Sequence, residues 1–176
     1  MIALSRREWE DSVVPVADSF ERPFILGIEG GGTRTTTLLA DARGREIRRV
    51  VFGPGNVQQL EDKALVKLLR GIAKQFPAPD AIGLGLAGAR SGKDRQRVRH
   101  AVAKVWKEVP CAVTHDLEVA LGAVKGVAVL VLSGTGSCCF GRTAGGRTAK
   151  MGGWGHMLGD KGSGYEIGLR ALKAVV

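Results

Sequence analysis

The sequence is short of cysteine and of long apolar runs, and each shortage excludes a class of protein. Its three cysteines are an odd number without Cys-x-x-Cys spacing, which argues against a disulfide framework or a zinc site. Cys138 and Cys139 are adjacent, so at most one of them faces the core from a strand. The longest apolar run, residues 127–132, is far below the roughly 20 residues that span a bilayer. We therefore expect a cytoplasmic protein with no membrane partner.

Aromatic residues are also scarce, at 5% of the chain, although the formal net charge is +9. Lysine and arginine are scattered and are not interleaved with aromatics, so the basic charge does not indicate nucleic-acid binding. The first ten residues contain charged side chains and lack the apolar segment of a secretory signal.

The order of apolar patterns predicts a polar leader at residues 1–22, with a short helix near residues 6–11, and one α/β domain at residues 23–176. Strands at residues 24–29, 35–40 and 46–52 would form an antiparallel group. Helices are then expected at 59–76, 93–107, 117–125 and 163–176, and strands at 81–87, 111–114 and 127–132, the last one buried. Strands at residues 137–142 and 147–151 are expected to pair as a hairpin. Alternating strands and helices favour parallel pairing with crossover helices, which gives the mixed sheet of a ribonuclease H-like domain.

Two glycine-rich turns are candidate phosphate sites. The first contains Gly31, Gly32, Thr33 and Arg34, and the second contains Gly134, Thr135 and Gly136. Glycine lets backbone N–H groups converge on an anion, and the hydroxyl and guanidinium groups add donors. Neither turn is a Walker A loop or a Rossmann fingerprint. The alternative is that they are two unrelated flexible turns.

Two further features are suited to sugar chemistry. Asp116 follows the strand at 111–114, where a carboxylate can act as a general base or simply cap the next helix. Trp154 and Asp160 lie in a glycine-rich segment, where an aromatic face and a carboxylate could contact a sugar ring. Trp154 could equally anchor a core.

These segments resemble the N-acetylglucosamine kinases and the wider BadF/BadG/BcrA/BcrD ATPase family, within the superfamily of actin, Hsp70 and sugar kinases. The sequence Gly-Gly-Trp-Gly-His-Met-Leu-Gly-Asp at 152–160 and Gly-Pro-Gly-Asn at 53–56 carry the likeness. The resemblance implies ATP and Mg²⁺ as cofactors and an amino sugar as substrate, with Asp116 accepting the proton of the sugar's 6-hydroxyl. It implies that both glycine turns bind ATP and that Glu29 lies near the metal. The sugar contacts it implies are Asn56, Asp116, Gly153, Trp154, Gly155 and Asp160.

The resemblance also implies a second ribonuclease H-like domain, so we expect this chain to correspond to the amino-terminal half without the carboxy-terminal lobe, or to form a homodimer. Glu29 and Lys161 depart from the residues that many relatives have there. Three alternatives stay open: a glucosamine kinase, a BadF-type ATPase with an iron–sulfur cluster, and a non-catalytic sugar-binding module. The spacing of Cys138 and Cys139 does not favour the cluster.

Overall fold

The structure, a computed structural model, describes residues 20–176 and divides into two compact units. The first ends at Asp116 and the second is Leu117–Val176. The short helix expected at residues 6–11 lies outside the described residues. Whether residues 23–176 behave as one domain stays a prediction.

The first unit is built on a five-stranded mixed sheet with the strand order β3-β2-β1-β4-β5. Strand β2 pairs antiparallel with both β1 and β3, whereas β4 pairs parallel with β1 and β5 pairs parallel with β4. The predicted antiparallel group and the first two parallel strands are therefore confirmed. The strands are β1 (Ile25–Gly30), β2 (Thr35–Ala40), β3 (Glu46–Phe52), β4 (Ala81–Leu86) and β5 (Cys111–Thr114).

Two helices cover one face of this sheet: α1 (Asp62–Ala73) and α2 (Gly92–Ala103). Apolar residues at helical spacing on α1, namely Leu65, Leu69 and Ile72, are buried, as the periodicity predicts. They join one core with Leu26 and Ile28 of β1. Lys and Arg side chains occupy the exposed side of α1, which explains why the basic charge is spread over the surface.

Gly55 permits a close approach between two loops of the first unit. A Cβ at this position would lie 2.4 Å from Thr35 Oγ1 and 2.9 Å from Gly30 Cα, whereas a Cβ at Gly53 would meet nothing within 4 Å. Because backbone atoms cannot move aside cheaply, Gly55→Ala is expected to lower the free energy of unfolding by about 1–3 kcal/mol. Gly53→Ala is the matched control. Urea unfolding of both variants checks this, and an equal effect of the two substitutions would contradict the tight packing.

The second unit contains α3 (Asp116–Gly122), whose first residue belongs to the first unit, and a three-stranded antiparallel sheet with the order β6-β7-β8. The strands are β6 (Ala128–Ser133), β7 (Ser137–Arg142) and β8 (Thr148–Gly152), and α4 (Gly164–Ala174) follows them. Its small core consists of Leu117, Leu121 and Phe140. Cys138 packs at this core, and Cys139 is the next residue on β7, so the predicted alternation of faces is consistent with the structure.

The structure corrects one strand prediction. Residues 127–132 were expected to form a buried strand, parallel to the others in one sheet, but β6 belongs to the separate sheet and pairs antiparallel with β7. Val129 and Val131 are about 70% and 69% exposed. The apolar run predicts a strand correctly, but composition alone does not specify which strand pairs with it or what covers its face.

The helices within residues 20–176 are all too short or too polar to cross a membrane.

Candidate active site

The first group of candidate residues lies at the carboxyl end of the parallel strands of the first unit. The sheet register places Glu29, Gly85 and Thr114 side by side on β1, β4 and β5. Gly31 and Asp116 each follow this row by two residues. Since β1 and β5 are separated by one strand, about 10 Å lies between them. The register therefore brings the first glycine turn and Asp116 to the same edge of one sheet.

Three loops at this edge are joined by backbone hydrogen bonds. The N–H of Gly31 donates to the carbonyl of Arg34 (2.8 Å) and closes the glycine turn. The N–H of Gly55 donates to Gly31 (2.9 Å), and the N–H of Ala87 donates to Gly30 (2.7 Å). Gly32, Thr33 and Arg34 are exposed, as a ligand-binding turn requires. The turn is thus held at its base while its tip stays accessible.

Asn56 is positioned by a polar network that extends to helix α2. Its Oδ1 accepts a hydrogen bond from the N–H of Gln58 (3.0 Å), and the Gln58 side-chain amide donates to Gly88 (2.8 Å) and to Asp94 (3.0 Å). Gly88 adopts φ of +83°, and a Cβ there would lie 2.6 Å from Asn56 Oδ1. The absence of a side chain at Gly88 therefore leaves room for Asn56.

Asp94 anchors this network through a capping box at the start of α2. Its carboxylate accepts hydrogen bonds from the Ser91 hydroxyl (2.6 Å) and the Ser91 N–H (2.9 Å). The Ser91 hydroxyl in turn accepts from the Asp94 N–H (3.1 Å). These two bonds from Ser91, and then the bond from Gln58, lower the pKa of Asp94 from 3.8 to about 2.

The lowered pKa of Asp94 makes its contribution to stability dependent on pH. Because the folded-state pKa lies below the ordinary value, the stabilisation is complete above about pH 4 and disappears as the pH falls towards 2. Asp94→Asn is expected to lower the melting temperature by a few degrees at pH 6, and this difference should vanish near pH 2. Thermal melts across this range check it. A difference in melting temperature that persists unchanged at pH 2 would contradict a lowered pKa of Asp94 as its cause.

Asp116 is accompanied by a residue that the sequence analysis overlooked. His115 Nδ1 lies 2.7 Å from Asp116 Oδ1, and both side chains are largely shielded from solvent. This short contact places the imidazole directly beside the carboxylate. The signal that could have found it is the His-Asp pair directly after a short parallel strand.

Glu29 is the metal ligand implied by the resemblance. It is exposed near the end of β1, one residue before Gly30 at the start of the glycine turn. Mg²⁺ is commonly bound by one or two carboxylates together with substrate phosphates and water. Within residues 20–176 there is no cluster of three or more His, Cys, Asp or Glu side chains that could hold a metal. A single carboxylate such as Glu29 would therefore need further ligands from a bound molecule to hold a metal ion.

The second group of candidate residues lies in the second unit, where the β6–β7 turn is bonded to the segment that follows β8. The N–H of Gly164 donates to Gly134 (2.8 Å). The hydroxyls of Ser133 and Ser137 donate to the carbonyls of Gly162 (2.8 Å) and Lys161 (2.7 Å). These bonds hold the second glycine turn against the residues around Asp160.

Asp160 directly contacts this turn. A Cβ at Gly136 would lie 2.8 Å from Asp160 Oδ2, so the carboxylate lies where any larger residue would place its side chain. Asp160 itself has φ of +59°, a left-handed conformation that is uncommon outside glycine. Such outliers often occur where a side chain is held for function.

Trp154 lies near Asp160 and is 73% exposed, so it does not anchor a core. Together with Asp160 and Lys161 it lines an open pocket of about 730 Å³, and Gly152, Leu158 and Ser137 also contribute. Gly153 and Gly155 flank the tryptophan with φ of +68° and +83°. An exposed aromatic face beside a carboxylate is a common arrangement for binding a sugar ring.

A family model identifies the group of proteins to which the chain belongs. The model of the BadF/BadG/BcrA/BcrD ATPase family matches residues 26–176. The chain belongs to this family. The resemblance seen in the glycine turns and in the segment around Trp154 is thereby confirmed.

The chain is similar in sequence to two curated sugar kinases. The N-acetylmuramic acid/N-acetylglucosamine kinase of Clostridium acetobutylicum is 34% identical over 163 residues, which is 87% of this chain and 53% of that protein. The N-acetyl-D-glucosamine kinase of Dictyostelium discoideum is 32% identical, over 88% of this chain and 54% of that protein. The chain therefore spans about half the length of the curated relatives it matches.

The chain is also similar to a protein of known crystal structure. A Chromobacterium violaceum protein assigned as an N-acetylglucosamine kinase superposes with a TM-score of 0.65 at 26% identity, over 86% of this chain and 56% of that one. This similarity supports the α/β fold with a mixed sheet.

Proposed function

We propose that the chain carries the sugar- and phosphate-binding residues of an ATP-dependent kinase that phosphorylates the 6-hydroxyl of N-acetylglucosamine or glucosamine. One observation carries the proposal: the sheet register brings the Gly30–Arg34 turn and Asp116 to the same edge. The names of the curated relatives favour an amino sugar as the phosphoryl acceptor.

In the proposed reaction, Asp116 accepts the proton of the 6-hydroxyl as the sugar oxygen bonds to the γ-phosphorus. The bond from this phosphorus to the β,γ-bridging oxygen breaks, and ADP leaves. The short contact between His115 and Asp116 would help to hold the accepting carboxylate in one orientation. Phosphoryl transfer depends chiefly on positioning and charge stabilisation. Asp116 would therefore act by being aligned with the sugar hydroxyl, without forming a covalent bond.

Backbone N–H groups and hydroxyls of the two turns would bind the phosphates, with Gly31, Gly32, Thr33 and Arg34 in one and Gly134, Thr135 and Gly136 in the other. Bound Mg²⁺, near Glu29, would neutralise phosphate charge. Asn56, Gly153, Trp154, Gly155 and Asp160 would contact the sugar. Two observations support Asn56 and Asp160 as sugar contacts. The Gln58 N–H donates a hydrogen bond to Asn56. Asp160 packs against Gly136, so closely that a Cβ there would meet its carboxylate.

Titration calorimetry tests the proposal against its alternatives. N-acetylglucosamine and glucosamine should each be titrated into the protein with and without Mg-ATP. We expect binding of at least one sugar, tighter when nucleotide is present. Sugar binding without nucleotide binding would favour a sugar-binding module. Nucleotide binding without sugar binding would favour a BadF-type ATPase. If the protein binds neither ligand, the proposal is rejected.

A further inference from the structure

Arg97 on helix α2 binds the loop that carries Asn56. Its Nη1 donates a hydrogen bond to the carbonyl of Val57 (2.6 Å), and its Nη2 donates to the carbonyl of Leu60. Its Nε donates to the carboxylate of Asp62, the first residue of α1 (2.5 Å). One guanidinium group therefore holds three points on the segment that leads from Asn56 into α1.

The two bonds to carbonyl groups matter more than the ion pair with Asp62. The side chain of Asp62 is 73% exposed, and solvent-exposed ion pairs contribute little to stability. Val57, in contrast, is 1% exposed, so its carbonyl is shielded from water and takes its hydrogen bond from Arg97. Because a buried carbonyl without a partner is costly, this bond fixes the peptide group that follows Val57 against α2.

Asn56 begins a closed turn that contains Val57. The N–H of Gln59 donates to the carbonyl of Asn56 (3.0 Å), and the N–H of Gln58 donates to its Oδ1 (3.0 Å). The N–H of Val57 donates to the carbonyl of Ala87, just after β4 (3.0 Å). Because Oδ1 accepts a bond inside the turn, the NH₂ group of Asn56 is the end of the amide that a ligand would meet. The position of this group therefore depends on how Val57 is held.

Helix α2 contacts the loop at a second place on the same face. Asp94 and Arg97 lie three residues apart, and residues at this spacing are neighbours on a helix surface. The side-chain amide of Gln58 donates to Asp94 (3.0 Å). On the side of α2 that faces the core, Val98 and Val102 are 0% and 1% exposed. The loop is thereby attached to a helix that is itself fixed in the core.

We propose that Arg97 is a positioning residue for the sugar, because it fixes the loop at Val57 and Leu60 and through that loop sets the position of Asn56. The inference rests on the proposed function in so far as Asn56 contacts the sugar. Arginine suits this role because its planar guanidinium donates in several directions at once, whereas lysine ends in one ammonium group. Arg97→Lys therefore keeps the charge and the helix propensity but not the simultaneous bonds.

The first test is amide hydrogen exchange of the free protein, which requires no ligand. Arg97→Lys should speed exchange at Gln58 and Gln59 by about tenfold or more, because the turn opens more often. The amides of β1 should keep their rates. Arg99→Lys, at an exposed arginine on the same helix, is the matched control and should change neither. Unchanged exchange in the turn, or equal acceleration in the turn and in β1, would overturn the proposal.

The second test is a double-mutant cycle with N-acetylglucosamine, measured by titration calorimetry. Arg97→Lys should weaken sugar binding by about tenfold, but by no more than about twofold when Asn56 has already been replaced with alanine. Unchanged affinity in Arg97→Lys, or an equal loss with and without Asn56, would overturn the action of Arg97 through Asn56. If the unsubstituted protein binds no sugar, the proposed function fails, whereas the exchange rates still decide whether Arg97 holds the loop.

Discussion

Replacing Asp116 with asparagine is expected to lower turnover by about 10²–10⁴-fold, the usual contribution of an aligned general base. Asparagine keeps the shape and can still hydrogen-bond, but it cannot accept the proton of the sugar hydroxyl. Sugar affinity should therefore change by no more than about twofold, and the loss should fall on kcat rather than on binding. Steady-state ADP release and calorimetry on the same preparation measure the two quantities.

The control for Asp116 is Glu61→Gln, which removes a carboxylate whose side chain makes no capping hydrogen bond to α1. This variant should keep full turnover and affinity. An Asp116→Asn variant with nearly full turnover would exclude Asp116 from the proton transfer. A variant that loses sugar binding in proportion to turnover would assign Asp116 to binding alone.

The second large effect is expected from Gly136→Ala. The added methyl group would lie 2.8 Å from Asp160 Oδ2, so the carboxylate has to move from its present position. If Asp160 binds sugar hydroxyls, losing that charged hydrogen bond should weaken sugar binding by about 10- to 100-fold, in line with roughly 1.5–3 kcal/mol for such bonds. Calorimetry with N-acetylglucosamine measures the change.

Gly145→Ala is the matched control for Gly136→Ala. Gly145 lies in the turn between β7 and β8, and a Cβ there would meet nothing within 4 Å. The control should bind sugar as the unsubstituted protein does. Unchanged affinity in Gly136→Ala would show that the position of Asp160 is irrelevant to the sugar.

Most of the secondary structure follows from the sequence because its signals are local. The predicted strands at residues 35–40, 46–52, 111–114 and 137–142 have the bounds that the structure shows. Helix α1 is shorter at both ends than the predicted residues 59–76, because it begins at Asp62 and ends at Ala73, with Lys74 at its C-cap position. Glycine turns and apolar periodicity are patterns that extend over only a few residues. They therefore predict turns, strands and helices without knowledge of the tertiary structure.

The pairing of β6 could not be read in the same way. The residues of β6, Ala128–Ser133, are as apolar as those of β4, yet β4 is an interior strand of one sheet and β6 is an edge strand of the other within residues 20–176. Strand pairing joins residues that are distant in sequence, so an apolar run does not specify it.

The candidate site was predictable where the residues carry their own signal. Glycine turns, Asp116 and Trp154 stand out by type and spacing, and their roles stay predictions. The supporting contacts were not predictable, because Gln58, Gly88 and Asp94 meet through folding and are distant in sequence. Ser91 and Asp94 have the spacing of a capping box, but the hydrogen bond from Gln58 to Asp94 leaves no signal in the sequence.

The most direct test of the proposed kinase is phosphorus NMR of a reaction that contains the purified protein, ATP, Mg²⁺ and N-acetylglucosamine. We expect a new phosphate monoester signal, split into a triplet by the two hydrogens on carbon 6. Release of inorganic phosphate alone, a doublet from an ester at another carbon, or no new signal would contradict the proposed function.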